Sequence, residues 1–205
     1  MRKYILASGS PRRIEMMRNN GFEPLVIPSS VDETLPLKQG MGDTVMFLAL
    51  KKARGTEADY FKKIEDGDQQ TVEFHSSCGE DAPVIIAADT VVYKDEIMGK
   101  PDNFEDGMRM LKSLKNDVHY VATGVAIIEA GAPHAKVFYE VTKVFFTDYS
   151  DEEIAEYLRT DEAYDKAGGY AIQGYFSRYI DRFEGDYDTV VGFPWKRIMD
   201  ELKDF

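Results

Sequence analysis

Hydrophobic and polar positions along this chain change period several times, and each change marks an element. Tyr4-Ile5-Leu6-Ala7 is a short apolar run of the kind a buried strand needs. Ile14, Met17 and Arg18 then fall at helical spacing, with Gly21 as a stop. Ser10 is predicted to cap this helix and Pro11 to open it, where a missing N–H costs nothing. Glu23 to Ile27 reads as a second strand, and Pro28 to Glu33 as a polar loop. Asp43 is predicted to cap a helix bearing Val45, Phe47, Leu48 and Leu50, which carries Lys51, Lys52 and Arg54 and runs on through Tyr60-Phe61.

Residues 66–82 lack a sustained period and hold few large apolar groups. They read as part of a mobile surface insertion at about 59–83, dispensable for chemistry. His75 and Cys78 lie there, and a flexible polar segment is a poor support for a catalytic pair. Val84 to Ala88 is apolar throughout, as in a central strand, ends at Asp89-Thr90, and resumes with Val91-Val92-Tyr93. Asn103 caps a helix with Phe104, Met108 and Leu111 on its buried face. Two long β segments, about His119 to Ile128 and Lys136 to Thr147, are followed by a capping box, Ser150 with Glu153. Tyr170–Ile172 and Phe176–Ile180 read as short strands, Asp186–Pro194 as turns, and Trp195–Leu202 as a closing helix. This order predicts an α/β or α+β domain with a mixed sheet.

Composition narrows the function classes. The 205 residues are 43% hydrophobic and 30% charged, enough for one good-sized domain or two small lobes. A net charge of −12 argues against binding long nucleic acid through a basic surface, yet leaves room for a small phosphorylated ligand. No stretch approaches a membrane span, and the first twenty residues lack a long apolar run. A single cysteine and three scattered histidines exclude a disulfide framework and a multi-cysteine zinc site, which fits a reducing, cytoplasmic setting.

Candidate chemistry begins at Ser8-Gly9-Ser10-Pro11-Arg12-Arg13. Small residues at a strand-to-helix turn expose backbone N–H groups at the positive end of a helix dipole, and two arginines project from the first turn. A polyphosphate suits this corner; so does an ordinary capped helix with solvated arginines. Asp89, at the end of an apolar strand, is costly to bury unless a cation answers it. It reads as a divalent-cation ligand, a proton acceptor, or a capping residue. Glu33 can join it as an oxygen ligand for Mg²⁺, or stand in solvent. Lys52 and Lys100 read as phosphate-facing point charges or as surface lysines. The Gln173 amide can donate and accept at once, as a base edge requires, with Thr90 adding a hydroxyl.

Taken together, SGSPRR at 8–13, DE at 32–33, LALKKA at 48–53, AADTVV at 87–92, GKP at 99–101, DKAGGYAIQG at 165–174 and VVGFP at 190–194 resemble the Maf family of nucleoside triphosphate pyrophosphatases. The resemblance spans nearly the whole chain and implies a single Maf-like domain over 1–205, elongated, with a cleft between two lobes and often dimeric. It implies Mg²⁺-dependent hydrolysis, with Mn²⁺ as the alternative ion, between the α- and β-phosphates of a nucleoside triphosphate. Ser8, Arg13, Glu33, Lys52, Asp89 and Lys100 fall on the family's phosphate, metal and catalytic positions, Asp89 on that of the proton acceptor. Arg12, Thr90 and Gln173 fall on its specificity positions and are similar to the dTTP/UTP-preferring branch, rather than to the branch acting on 7-methyl-GTP. A sensor that binds a triphosphate without cutting it is the alternative of a different class.

Overall fold

Alternating early helices and strands followed by long hairpins give, in the computed structural model, a mixed α/β architecture; the structure describes residues 2–35 and 40–205. The strands are β1 (Tyr4–Leu6), β2 (Leu25–Val26), β3 (Val84–Lys94), β4 (Glu96–Met98), β5 (Val118–Glu129), β6 (Ala135–Phe146) and β7 (Ile180–Glu184). Among the described residues their order is β2-β1-β3-β5-β6-β7, with β4 paired to β3. The helices are α1 (Pro11–Asn19), α2 (Met41–Glu65), α3 (Gln69–Cys78), α4 (Phe104–Leu114), α5 (Asp151–Leu158), α6 (Tyr187–Val191) and α7 (Trp195–Lys203).

The chain divides into two compact units. The first comprises Met1–Asp89, Gly124–Tyr139 and Trp195–Phe205; the second comprises Thr90–Thr123 and Glu140–Pro194. In the first, β1 pairs in parallel with both β2 and β3, placing Ile5 opposite Leu25 and Ile85. Ile5, Ile85 and Ala87 pack with Ala49, Ala53 and Tyr60 of α2. The small alanines let helix and sheet approach closely. In the second unit β3 turns back into β4 and β6 pairs antiparallel with β7. Its core is aromatic: Phe146, Tyr149, Tyr157, Tyr170, Phe176 and Tyr179 gather around Leu111 and Ile154. The predicted caps at Asn103 and at Ser150 with Glu153 both form. No helix among the described residues is long and apolar enough to cross a membrane.

Several expectations are corrected. Ser10 occupies the N-cap of α1, but its hydroxyl makes no cap; instead Ser8 Oγ accepts the Ser10 N–H at 3.2 Å. The second helix starts at Met41 behind Gly40, which leaves Asp43 in the first turn as a charge favourable to the dipole. Residues 69–78 form α3, capped by Asp68, rather than an irregular segment. Its inward positions, Thr71, Phe74 and Cys78, hold one large apolar side chain, so an apolar period could not show it. The Tyr60 hydroxyl meets His75 Nδ1 at 2.7 Å, and Cys78 Sγ donates to the Phe74 carbonyl. Asp89 lies within the continuous strand β3, not at its end. Residues 170–172 are not a strand, and Tyr175–Tyr179 form a 3₁₀ helix, in which Phe176 and Tyr179 share the buried side three residues apart. A short helix, α6, stands within the predicted turns of 186–194.

Candidate functional site

Alternation along β3 explains where Asp89 points. Ile85 and Ala87 belong to the core facing α2, and Asp89 is the next residue of the same parity. On α2, Lys52 stands next to the buried Ala53 and close to the same face. Its Nζ donates to Asp89 Oδ1 at 2.6 Å and reaches Glu33 Oε1 at 3.0 Å. The Asp89 side chain is 8% exposed and that of Lys52 14%, whereas Glu33 is 58% exposed. The pairing is therefore a buried one, with Glu33 closing it from the solvent side.

Arg13 completes the group from α1. Its Nη1 donates to the Ala88 carbonyl at 2.7 Å and to Ser8 Oγ at 3.3 Å. Of the two readings of this guanidinium, phosphate-facing or solvated, the second does not hold, because it is drawn onto β3. Burial pulls its pKa down to about 10, a fall that the nearby Asp89 carboxylate opposes and Arg12 reinforces. Arg13 stays cationic at neutral pH. Asp89 moves the other way: burial raises its pKa, against the pull of Lys52 and Arg13, and Glu33 adds to the rise. Arg12, half-buried on the first turn of α1, adds a further cation to this corner. On a chain with a net charge of −12, three cations against two carboxylates leave a local excess of positive charge at this corner.

The first unit thus brings together Ser8, Arg13, Glu33, Lys52 and Asp89, with Arg12 on the same helix as Arg13. Thr90, Lys100 and Gln173 belong to the second unit. Thr123 Oγ1 gives its one proton to the Thr189 carbonyl at 2.7 Å, so Thr90 is the donor in the 2.9 Å contact between Thr90 and Thr123. Lys100 is exposed on a turn braced from the DKAGG stretch: the Gly168 N–H donates to the Gly99 carbonyl at 2.9 Å.

Gln173 is exposed between the buried Ile172 and Gly174. Behind it the Glu162 carboxylate accepts the Tyr175 N–H at 3.1 Å and fills the space where a side chain at Gly174 would stand, its Oε1 1.5 Å from an added Cβ. His119 Nε2 bonds the Tyr170 hydroxyl at 2.6 Å, and burial holds that imidazole neutral, with a pKa lowered to about 3. Glu162, Thr123 and His119 are supports that sequence reasoning missed. A buried threonine or histidine on a strand carries no periodic signal of its own partner.

His75 and Cys78 make separate contacts with Tyr60 and Phe74, and burial raises the Cys78 thiol pKa, which suits an inert cysteine. Among the described residues no group of three or more His, Cys, Asp or Glu side chains is arranged to hold a metal ion. The carboxylate pair Glu33 and Asp89 is what a hard cation would find. Both reach the same lysine nitrogen, so their oxygens already converge on one positive centre.

The Maf-like protein family model matches residues 3–205. Curated relatives include a dTTP/UTP pyrophosphatase of Acetivibrio thermocellus, 38% identical over 205 residues, covering 100% of this chain and 96% of the relative. A dTTP/UTP pyrophosphatase of Bacillus thuringiensis subsp. konkukian is 39% identical over 209 residues with the same coverage. Among solved structures, the Staphylococcus aureus Ham1 protein aligns over 87% of this chain and 80% of its own, at 13% identity and a TM-score of 0.45.

Proposed function

The chain belongs to the Maf-like protein family, and on that premise we propose that it is a nucleoside triphosphate pyrophosphatase acting on dTTP and UTP. Products are the nucleoside monophosphate and pyrophosphate. The observation that carries this reading is the buried Asp89–Lys52 pair beside Arg13, with its raised Asp89 pKa. A carboxylate whose pKa is raised above the ordinary range is better suited to take a proton from water, and the cations beside it are suited to phosphate. The activity named for the two relatives agrees with it.

Arg12, Arg13 and backbone N–H groups at the N-terminus of α1 hold the triphosphate by charge and by hydrogen bonds. Asp89 orients water and accepts its proton as the water oxygen bonds to phosphorus. The bridging oxygen departs with the pyrophosphate. Lys52 stays against the reacting phosphates and neutralises charge that develops on them. Lys100 is assigned to the leaving pyrophosphate on the strength of the GKP motif. Thr90 and Gln173 are assigned to the pyrimidine base. Glu33 and Asp89 would hold Mg²⁺, or Mn²⁺ in its place, with phosphate oxygens completing its shell. A divalent ion held by these two carboxylates would supply charge withdrawal from the scissile bridge. Phosphoryl transfer asks mainly for positioning and electrostatics, which is what these side chains offer. A cytoplasmic location and a homodimer belong to the same reading, the first supported by the single half-buried cysteine and the second by the family resemblance.

A panel of dTTP, UTP, CTP, GTP and 7-methyl-GTP, with and without Mg²⁺, tests it. Pyrophosphate release from dTTP and UTP is expected to exceed that from the other three by at least about tenfold, the low end of discrimination by a binding pocket. Tight nucleotide binding without pyrophosphate release would replace the enzyme with a sensor. Faster release from 7-methyl-GTP would move the chain to the other branch.

A further inference from the structure

Glycine weakens a helix interior, yet Gly55 sits in the middle of the 25-residue α2, one turn beyond Lys52. An added Cβ at position 55 would lie 2.2 Å from Val31 Cγ1, far inside contact distance. Its next neighbours, Ser29 Oγ and Val31 Cβ, would stand at 3.5 and 3.7 Å, which is ordinary packing. One valine methyl therefore occupies the place of the missing side chain. That valine stands two residues before Glu33, in a loop braced on either side. Thr34 donates to Asp32 Oδ1 through its N–H at 3.0 Å and its hydroxyl at 2.7 Å, and Thr56 Oγ1 on α2 donates to the Ile27 carbonyl at 3.3 Å.

We propose that the Val31 methyl seated on Gly55 is a positioning device for the reaction, setting the distance at which the loop holds Glu33 over Lys52. Gly55 and Val31 are positioning residues and touch no reacting atom. Lys52 and Gly55 are three residues apart on one helix, so a shift of the loop at Gly55 is felt directly at the 3.0 Å contact between Glu33 and Lys52. Valine is stiff about χ1 and cannot swing aside freely. The role assumes that the chain hydrolyses nucleotides as proposed above.

The test uses Gly55→Ala, Gly55→Ala with Val31→Ala, and the unaltered protein. In Gly55→Ala, kcat for dTTP is expected to fall by about 10²-fold with little change in KM, the scale of an ångström-sized misplacement at a catalytic group. Its thermal midpoint should fall only modestly, because the helix propensity gained with alanine offsets part of the clash with Val31. The double variant removes Cγ1, the one atom in conflict, and should restore kcat. Hydrogen exchange at the Val31 to Glu33 amides should quicken in the single variant and return to normal in the double. Wild-type kcat in Gly55→Ala, or a double variant as slow as the single, would overturn the proposal. Should Gly55→Ala fail to fold, the double variant decides alone: full activity supports the seat and its loss refutes it. Should the unaltered protein release no pyrophosphate, the functional reading fails, while the exchange rates still decide whether the seat holds the loop.

Discussion

Asp89→Asn lowers turnover by about 10²–10⁴-fold, the usual worth of a general base, while leaving a folded protein. Asparagine keeps the shape of the side chain but cannot accept the proton of an attacking water, and it is a poor ligand for a hard cation. The fold tolerates the change because burial already works against the Asp89 charge, as the rise of its pKa despite two neighbouring cations shows. A neutral amide avoids that burial cost, and Lys52 keeps Glu33 as a partner. The thermal midpoint should therefore stay near that of the wild type, which separates lost chemistry from lost structure. Steady-state pyrophosphate release, read beside a melting curve, is the check. Near-normal turnover would remove Asp89 from both of its assigned roles.

Lys52→Met has the second largest expected effect, and it alters rate, pH dependence and stability together. Removing the ammonium deletes a cation set against the reacting phosphates, for which a fall of about 10²–10³-fold in kcat is the scale of one lost preorganised donor. It also removes the largest influence holding the Asp89 pKa down. In the wild type, activity should be lost on acidification at a pH above the ordinary carboxylate range, because Asp89 must be ionised to accept a proton and its pKa is raised. In Lys52→Met that acid limb should move to higher pH still. The stability effect has the matching sign. A carboxylate whose folded pKa lies above its unfolded value favours the fold at low pH, and that benefit is lost as pH rises through the folded pKa. The variant should thus be destabilised more at alkaline than at acidic pH. About 3–5 kcal/mol, the usual cost of orphaning a buried charge, is an upper bound, since protonation of Asp89 relieves it. A pH–rate profile and melting curves across that range measure both. An acid limb that moved downward would contradict the pairing seen here.

Much of this was legible in the sequence, for identifiable reasons. Apolar runs and caps located β1, β3, α4 and α5, because burial and capping act on adjacent or regularly spaced residues. The cationic turn at 8–13 and the lone aspartate in an apolar strand pointed to the phosphate corner. What stayed hidden depends on tertiary contacts. Helix α3 packs on Tyr60 through one aromatic residue, Phe74, with Thr71 and Cys78 as its other inward positions, so no apolar stripe announced it. The aromatic residues after Gln173 pack into a 3₁₀ helix by mutual ring contacts, although their composition favours strands. Lys52 could be placed on a helix from its neighbours, but its partner was invisible until β3 and α2 were seen face to face. Arg13 could be placed at a phosphate corner or in solvent, and only the position of the Ala88 carbonyl shows why it folds back onto β3. Gly55 carries no signal in the sequence, and the loop before Glu33 resting on it is seen only in the fold.

A crystal structure with α,β-imido-dTTP and Mg²⁺ probes the phosphate corner itself. The triphosphate should lie against Arg12, Arg13 and Lys52, with Asp89 and Glu33 beside the ion. A nucleotide bound with its phosphates away from these five side chains would contradict that placement.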